Sequence, residues 1–428
     1  MDKKVAVQKR KRDESKDELR FPLEKHFKAQ VTTRGYRDIG AVIKKLLTER
    51  QLQMFRRTCF GHFLELKDSR FSGVLIHSFI LRAVNKVTSG EELWFRVNDV
   101  DVRFSAYEFA IMTGLRFSHL VDIDLYIPSK ATDRILQTYF HGCKSVTYAD
   151  LSRVFQQRPW GEDDTDAVKL ALLFYLHMGL LGSDLRKTIP QKILQLVDHL
   201  DGFNAYPWGV RVWQMTYRSI CDNISRISID SGPKKKKENQ LKQYGIMGFP
   251  LAFQFWIYET LDSLFRWVDE SPYIGAARML RWHTKDIPGW DSISAIFTGD
   301  PDDVNFPLDL SPVERDTEWY EDIIRYTGIS DSRSSSASGD APSSPRDVSS
   351  PIVAPPPVDA SVQPPPTCPI SDPIEELISP GPGPRPATTE HISLHCTYAL
   401  ENMLVPIDQN SLHASMQLPQ GANGTVTS

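Results

Sequence analysis

Between Leu93 and Phe104 apolar and polar residues alternate twice. Leu93, Phe95 and Val97 fall on one side, and Trp94, Arg96 and Asn98 on the other. After the turn pair Asn98-Asp99, Val100, Val102 and Phe104 alternate with Asp101 and Arg103. A period of two, interrupted by a turn pair, predicts a β-hairpin. Ser105 then reads as a helix N-cap. Glu108, three residues on, is placed to return a bond to the Ser105 N–H and complete a capping box. Phe109, Ile111 and Met112 give a short helix its apolar surface, and Gly114 is a stop in the left-handed region.

Elsewhere the period is helical. Ile39, Val42, Ile43, Leu46 and Leu47 form an i, i+3, i+4, i+7, i+8 stripe, with Asp38 as its cap. Val74 to Val84 repeats the pattern through Leu75, Phe79 and Arg82. A loop is predicted over 118–129, then helices over 133–140, 148–156 and 165–181. Pro190, whose missing N–H costs little in a first turn, opens a helix to His199 or Leu200. In Asp201-Gly-Phe-Asn-Ala-Tyr-Pro-Trp-Gly209, Gly and Pro predict a turn, while Phe203, Tyr206 and Trp208 offer apolar area to bury. A helix over 210–220 follows, and Gly248-Phe249-Pro250 opens another from Leu251 to about Phe265. The apolar run Leu170 to Leu181 is too short to span ~30 Å of hydrocarbon, so it reads as a buried helix and no membrane span is expected. The expected fold is α+β and predominantly α-helical, with a small β-hairpin and disordered tails. Its local specifiers are Trp94, Phe104, Ser105, Glu108, Phe109, Gly114, Pro207, Trp208, Gly209, Phe249 and Pro250.

Trp94-Phe-Arg-Val-Asn-Asp-Val-Asp-Val-Arg-Phe-Ser-Ala-Tyr-Glu-Phe-Ala-Ile-Met-Thr-Gly-Leu115 resembles the signature of a plant domain of unknown function. That domain recurs in transposon-derived proteins, often upstream of a SUMO-protease-like cysteine peptidase. Phe60-Gly61, Phe71-Ser-Gly-Val-Leu-Ile-His77, Tyr206-Pro-Trp-Gly209 with Trp213, and Gly248-Phe-Pro-Leu-Ala252 with Trp256 and Glu259 agree with it. Together these pieces span roughly residues 37–265. The Trp-Gly element is also similar to the plant mobile domain. The resemblance implies a lineage and an architecture, and it carries over no catalytic residue.

Charge adds a polarity along the chain. Residues 1–37 hold twelve Lys/Arg against six Asp/Glu, and residues 331–428 hold three against ten. The ends are therefore +6 and −7, and with a net charge of −4 the body is −3. Charge-dependent binding is thus expected outside the folded part. Lys9, Arg10, Lys11 and Arg12 form a candidate nuclear localisation signal, and Lys234, Lys235, Lys236 and Lys237 form a second basic patch. Contacts from either to phosphates would be sequence-blind and salt-sensitive. Seventeen of 29 prolines lie past Ser330, with a single aromatic, Tyr398. Such a segment buries too little apolar area to offset its conformational entropy. Pro355-Pro-Pro357 and Pro364-Pro-Pro366 favour polyproline II structure. Ser344-Pro345 and Ser350-Pro351 have the form of proline-directed phosphorylation sites, and Leu394 to Ile407 is a short apolar island. The expected organisation is a basic segment 1–36, a mainly helical domain 37–270, an extension 271–327 packing on it, and a tail 328–428.

Chemistry is harder to find. Cys59, Cys143, Cys221, Cys368 and Cys396 are odd in number and form no CxxC pair, as expected of reduced thiols in the nucleus or cytoplasm. The polar, charged N-terminus predicts no secretory leader. There is no phosphate-cradling glycine loop, no H-E-x-x-H and no nucleophile elbow. The related peptidases place Trp after the catalytic His and a Cys in an Asp-Cys-Gly setting. Here Trp282-His283 has the reverse order, and only Cys368 and Cys396 follow it, in the proline-rich tail. Cys59 and His62 are three apart, but Phe55, Phe60 and Phe63 predict an inert, apolar setting. His77 reads as structural. Asp150 and Glu162-Asp163-Asp164 suit helix N-termini better than a metal, and His391, His395 and Cys396 lack a fourth ligand and a surrounding fold. The aromatic cluster at 203–213 reads as core rather than a base-stacking platform. No cofactor and no metal are expected. The expected role is a non-catalytic nuclear protein-interaction module with an unknown protein partner. The alternatives are a nucleic-acid-associated module making weak, non-specific contacts, or the remnant of a cysteine peptidase.

Overall fold

The alternation at 93–104 folds as predicted. In the computed structural model β2 (Glu92–Val97) and β3 (Val100–Ser105) pair antiparallel, with Val97 opposite Val100. Asn98 and Asp99 both take positive φ, 47° and 62°, the two-residue turn whose twist matches a hairpin. Leu93, Phe95, Val97, Val102 and Phe104 are buried. The residues described are 18–329 except 36–37, 67–68, 89, 183, 231–241, 272–274 and 276. The chain divides into two units, Met1–Asp340 and Ala341–Ser428, and every described residue lies in the first. The tails, Lys9–Arg12 and Lys234–Lys237 lie outside the described residues.

The helices are α1 (Ile39–Leu46), α2 (Glu49–Arg56), α3 (Gly73–Ile80), α4 (Ala106–Thr113), α5 (Arg134–Phe140), α6 (Tyr148–Gln157), α7 (Asp164–Phe174), α8 (Gln191–Asp198), α9 (Leu200–Ala205), α10 (Trp208–Asp230), α11 (Pro250–Thr260), α12 (Trp290–Ile296), α13 (Pro312–Arg315) and α14 (Glu318–Thr327). The other strands are β1 (Gln30–Thr33), β4 (Val146–Thr147), β5 (Thr188–Ile189), β6 (Gln243–Ile246), β7 (Val268–Glu270) and β8 (Trp282–Thr284). The fold is α+β and mainly helical, and the strands among the described residues form four separate pairs. The axis of the core is α11, apolar on every side and buried except at the partly exposed Glu259, as a helix without a polar face must be. Phe104 sits 4.9 Å from Phe253 and 5.0 Å from Trp256, ring centre to ring centre. Phe79 meets Phe95, Phe253, Trp256 and Phe297 edge-on.

Several expectations are corrected. Asp38 stands before α1 but its side chain makes no cap bond. The stripe is instead broken at Leu47, and Thr48 with Gln51 builds a capping box for α2. The third helix ends at Ile80, because Ala83 and Val84 bridge to Phe95 and Leu19. The last part of the 165–181 helix, Tyr175–Leu180, winds as a π-helix. The predicted turn at 201–209 is a turn only at Tyr206-Pro207; Leu200–Ala205 is helical. The helix opened by Pro250 stops at Thr260, before a short 3-10 turn.

Three strand pairs are absent from the sequence reading. β1 and β6 run parallel, Gln30 N–H donating to Lys242 C=O at 2.8 Å and Arg34 N–H to Ile246 C=O at 3.0 Å. The other edge of β6 is closed by side chains of α10. Asn223 Nδ2 donates to Gly245 C=O at 3.2 Å, and Met247 N–H donates to Ser219 Oγ at 2.9 Å. The segment after residue 277 is locked down by a buried cation. Arg278 reaches Glu314 at 2.6 Å and Glu259 at 3.1 Å, and also the Asp309 carbonyl. A buried carboxylate pair of this kind holds position, since either partner alone would be an uncompensated charge.

Candidate protein-interaction surface

Ser105 and Glu108 build the start of α4 as expected. The Glu108 carboxylate accepts from the Ser105 N–H at 2.8 Å and from its hydroxyl at 2.6 Å, and Tyr107 N–H donates to Ser105 Oγ at 3.2 Å. Arg103 neutralises the buried Glu108 at 2.9 Å. α4 then stops at Gly114, whose φ is 65°. The chain leaves α4 directly into the segment 115–127.

This segment is gripped from two sides. On one side stands Tyr206-Pro207-Trp208-Gly209. Gly209 N–H donates to Arg116 C=O at 3.0 Å. A methyl at Gly209 would fall 2.5 Å from that oxygen and 2.5 Å from the Phe117 ring, so only glycine admits the contact. Tyr206 donates its hydroxyl to Val121 C=O at 3.1 Å, and its ring meets Tyr126 edge-on at 5.2 Å. Trp208, fully buried, donates Nε1–H to Phe203 C=O at 2.8 Å. On the other side stands α14. Arg116 pairs with Asp322 at 2.7 Å and Glu318 at 3.3 Å, while Tyr326 stacks on His119 at 4.8 Å. Inside the segment Tyr126 donates its hydroxyl to Leu120 C=O at 2.9 Å. Asp124 reaches Lys192 of α8 at 2.5 Å.

The result is a backbone pinned at both shoulders. Ile123, Tyr126 and Ile127 pack inward on the core. Leu120, Val121 and Leu125 are 63%, 46% and 64% exposed. Seven large apolar side chains are exposed among the described residues, and three of them fall within these six positions. Isolated exposed leucines need no explanation, whereas three neighbouring exposed apolar side chains on a fixed loop make this segment the candidate contact surface. Sequence reasoning read 118–129 only as a loop. The one signal that could have found the surface is its apolar content, which is high for a loop.

Phe104, Phe109, Trp208 and Phe249 are core, Pro207 is buried, and Pro250 opens α11. Trp94 faces away from the core, with Lys86 3.6 Å above its ring. Phe203, Tyr206, Trp208 and Trp213 are buried, so they are core and offer no face for a base. Cys59 packs against the core, and burial pushes its thiol far up. His62 donates to or accepts nothing from it; its Nε2 lies 2.8 Å from Thr113 C=O, and burial lowers its pKa to about 4. His77 is buried between Tyr244 Oη and Phe27 C=O, both at 2.8 Å. Asp150 caps α6 with Thr147, and Asp163 caps α7. A cleft of about 220 Å³ beside α5 and α6 exposes Cys143, but its one carboxylate, Asp150, is committed to Thr147 and Arg153. No group of three His, Cys, Asp or Glu among the described residues could hold a metal ion, and no described helix is long and apolar enough to cross a membrane.

Residues 80–219 match the family model of a domain of unknown function, DUF1985. The match takes in the hairpin, α4, the gripped loop and Tyr206–Gly209, while α14, which holds the loop from the other side, lies beyond it. No curated protein and no solved structure matches the chain.

Proposed function

We propose that the chain is a non-catalytic nuclear protein-interaction module of transposon-derived lineage, and that the loop 117–127 is its contact surface. The observation that carries this reading is the cluster Leu120, Val121 and Leu125, exposed on a backbone that Tyr206, Tyr126 and Arg116 hold in place. A contact surface that is ordered beforehand loses less conformational entropy on binding. The non-catalytic part is supported by Cys59, an inert thiol in an apolar setting, and by the cleft at Cys143, whose one carboxylate, Asp150, is committed to Thr147 and Arg153. Nuclear residence rests on the sequences Lys9–Arg12 and Lys234–Lys237.

The test is a photo-crosslinking residue placed at position 125 of the full chain in plant nuclear extract. Reproducible protein adducts that disappear when Leu120 is replaced by Asp support the reading. Absence of adducts at 125, with a folded protein, would overturn it. Labelling of a single cysteine by SUMO- or ubiquitin-based suicide probes would overturn the non-catalytic part.

A further inference from the structure

The charges beside the loop say what kind of protein fits it, an inference that rests on the interaction reading above. The cations of this face are spent on its own carboxylates: Arg116 on Asp322 and Glu318, Lys192 on Asp124, and Arg325 on Asp322 at 3.4 Å. Exposed and without an ion pair among the described residues are Asp122, between Val121 and Ile123, Asp201 at the start of α9, and Glu321 on α14, against two cations, Lys130 and Arg57, the latter beside α9 through the Cys59 N–H bond to Asn204. Asp201 adjoins the loop because its neighbour Gly202 approaches Tyr126 C=O so closely that a methyl there would lie 2.1 Å from it. The apolar cluster therefore stands in a rim with free negative charge. Phosphate would be repelled, and a second copy related by two-fold symmetry would set the same carboxylates against each other.

We infer that the loop seats Leu120, Val121 and Leu125 in an apolar pocket of a partner protein whose rim carries lysine or arginine. Opposite charge around an apolar centre steers encounter and fixes register, while the apolar side chains supply the area removed from water.

The test titrates the full chain with a fluorescein-labelled amphipathic helix of leucine and lysine, and with its leucine/glutamate counterpart, reading anisotropy. The lysine peptide should bind at least about tenfold tighter at low salt, with the preference shrinking as salt rises. The double change Leu120→Asp and Leu125→Asp should abolish binding of the lysine peptide although it adds negative charge. Asp122→Lys with Asp201→Lys should remove the preference while the circular dichroism melt stays unchanged. Equal binding of the two peptides, or full affinity in the leucine variant, would overturn the inference. So would sedimentation as a dimer that the leucine variant dissociates, because the occupant would then be a second copy. Crosslinks from position 125 without binding of the lysine peptide would sink the charge assignment alone; absence of both would sink the interaction reading with it.

Discussion

Tyr206 donates its hydroxyl to the carbonyl of Val121 across 3.1 Å, so a residue of the Tyr-Pro-Trp-Gly motif fixes the backbone of an exposed apolar loop. The motif thereby has a physical task beyond filling the core. Tyr206→Phe keeps the ring and loses the bond. It should cost about 1 kcal/mol, and amide exchange should quicken over 118–127 before it quickens elsewhere. Uniform acceleration across the fold would show that the bond holds the core rather than the loop.

Gly209 gives a change of sign. In an ordinary helix interior, Gly→Ala stabilises by about 1 kcal/mol. Here the added methyl would lie 2.5 Å from the Arg116 carbonyl. Gly209→Ala should therefore destabilise by about 1–3 kcal/mol, the usual cost of overpacking. A urea midpoint at or above wild type would show that the 115–117 backbone gives way cheaply.

At the start of α4 the carboxylate matters more than the hydroxyl. Ser105→Ala should cost about 1 kcal/mol. Glu108→Ala should cost about 2 kcal/mol, because it removes the cap bond to the Ser105 N–H and leaves Arg103 only its longer contact with Glu92 at 3.5 Å. Gly114→Val should add at least about 1 kcal/mol of strain at φ 65°. Thermal melts rank the three, and Ser105→Ala proving the worst would refute this ordering.

The segment that matches DUF1985 shares its core with residues outside it. Phe104 and Phe95 pack on Phe253 and Trp256, and Phe117 packs on Tyr326. A fragment 80–219 should be unfolded or molten by near-ultraviolet circular dichroism, while a fragment 18–329 should melt cooperatively. A sharp melt of the short fragment would contradict the packing described.

Acid should destabilise the fold well above the carboxylate range. Burial lowers the pKa of His62 and His77 to about 4, and burial together with Arg211 lowers that of His177 to about 3. Unfolded, each binds a proton near pH 6.5. Between those values the unfolded chain holds more protons, so stability is full above pH 6.5 and falls as pH drops towards 4. Each histidine contributes up to about 1.4 kcal/mol per pH unit. His177, whose ring nitrogens have no hydrogen-bond partner among the described residues, is the one to remove. Urea unfolding of His177→Met should show a shallower pH slope than wild type; an unchanged slope would mean that this imidazole is not buried neutral.

What could be read from the sequence was local. Hairpin, turn, cap, helix and stop lie within 92–114, and each is specified by residues a few positions apart. β1 and β6 were not legible, because four-residue strands show no period and their pairing joins distant parts of the chain. Asp38 and Thr48 show the limit of cap rules: both precede apolar stripes, and only packing decided which side chain turns back on its helix. The exposed apolar loop was illegible for a related reason. In Leu120-Val-Asp-Ile-Asp-Leu125 nothing distinguishes Ile123, which packs inward, from Leu125, which does not. That choice is made by Tyr206, Gly209 and α14, which lie far along the chain.

Both ends of the segment 231–241 are anchored without its help. Asn223 and Ser219 of α10 hold β6 directly, and β1 holds its other edge. The docking of α10 on β6 is therefore a property of Ser219, Asn223 and the strand itself, and it needs nothing from the lysines that lie between them in the sequence.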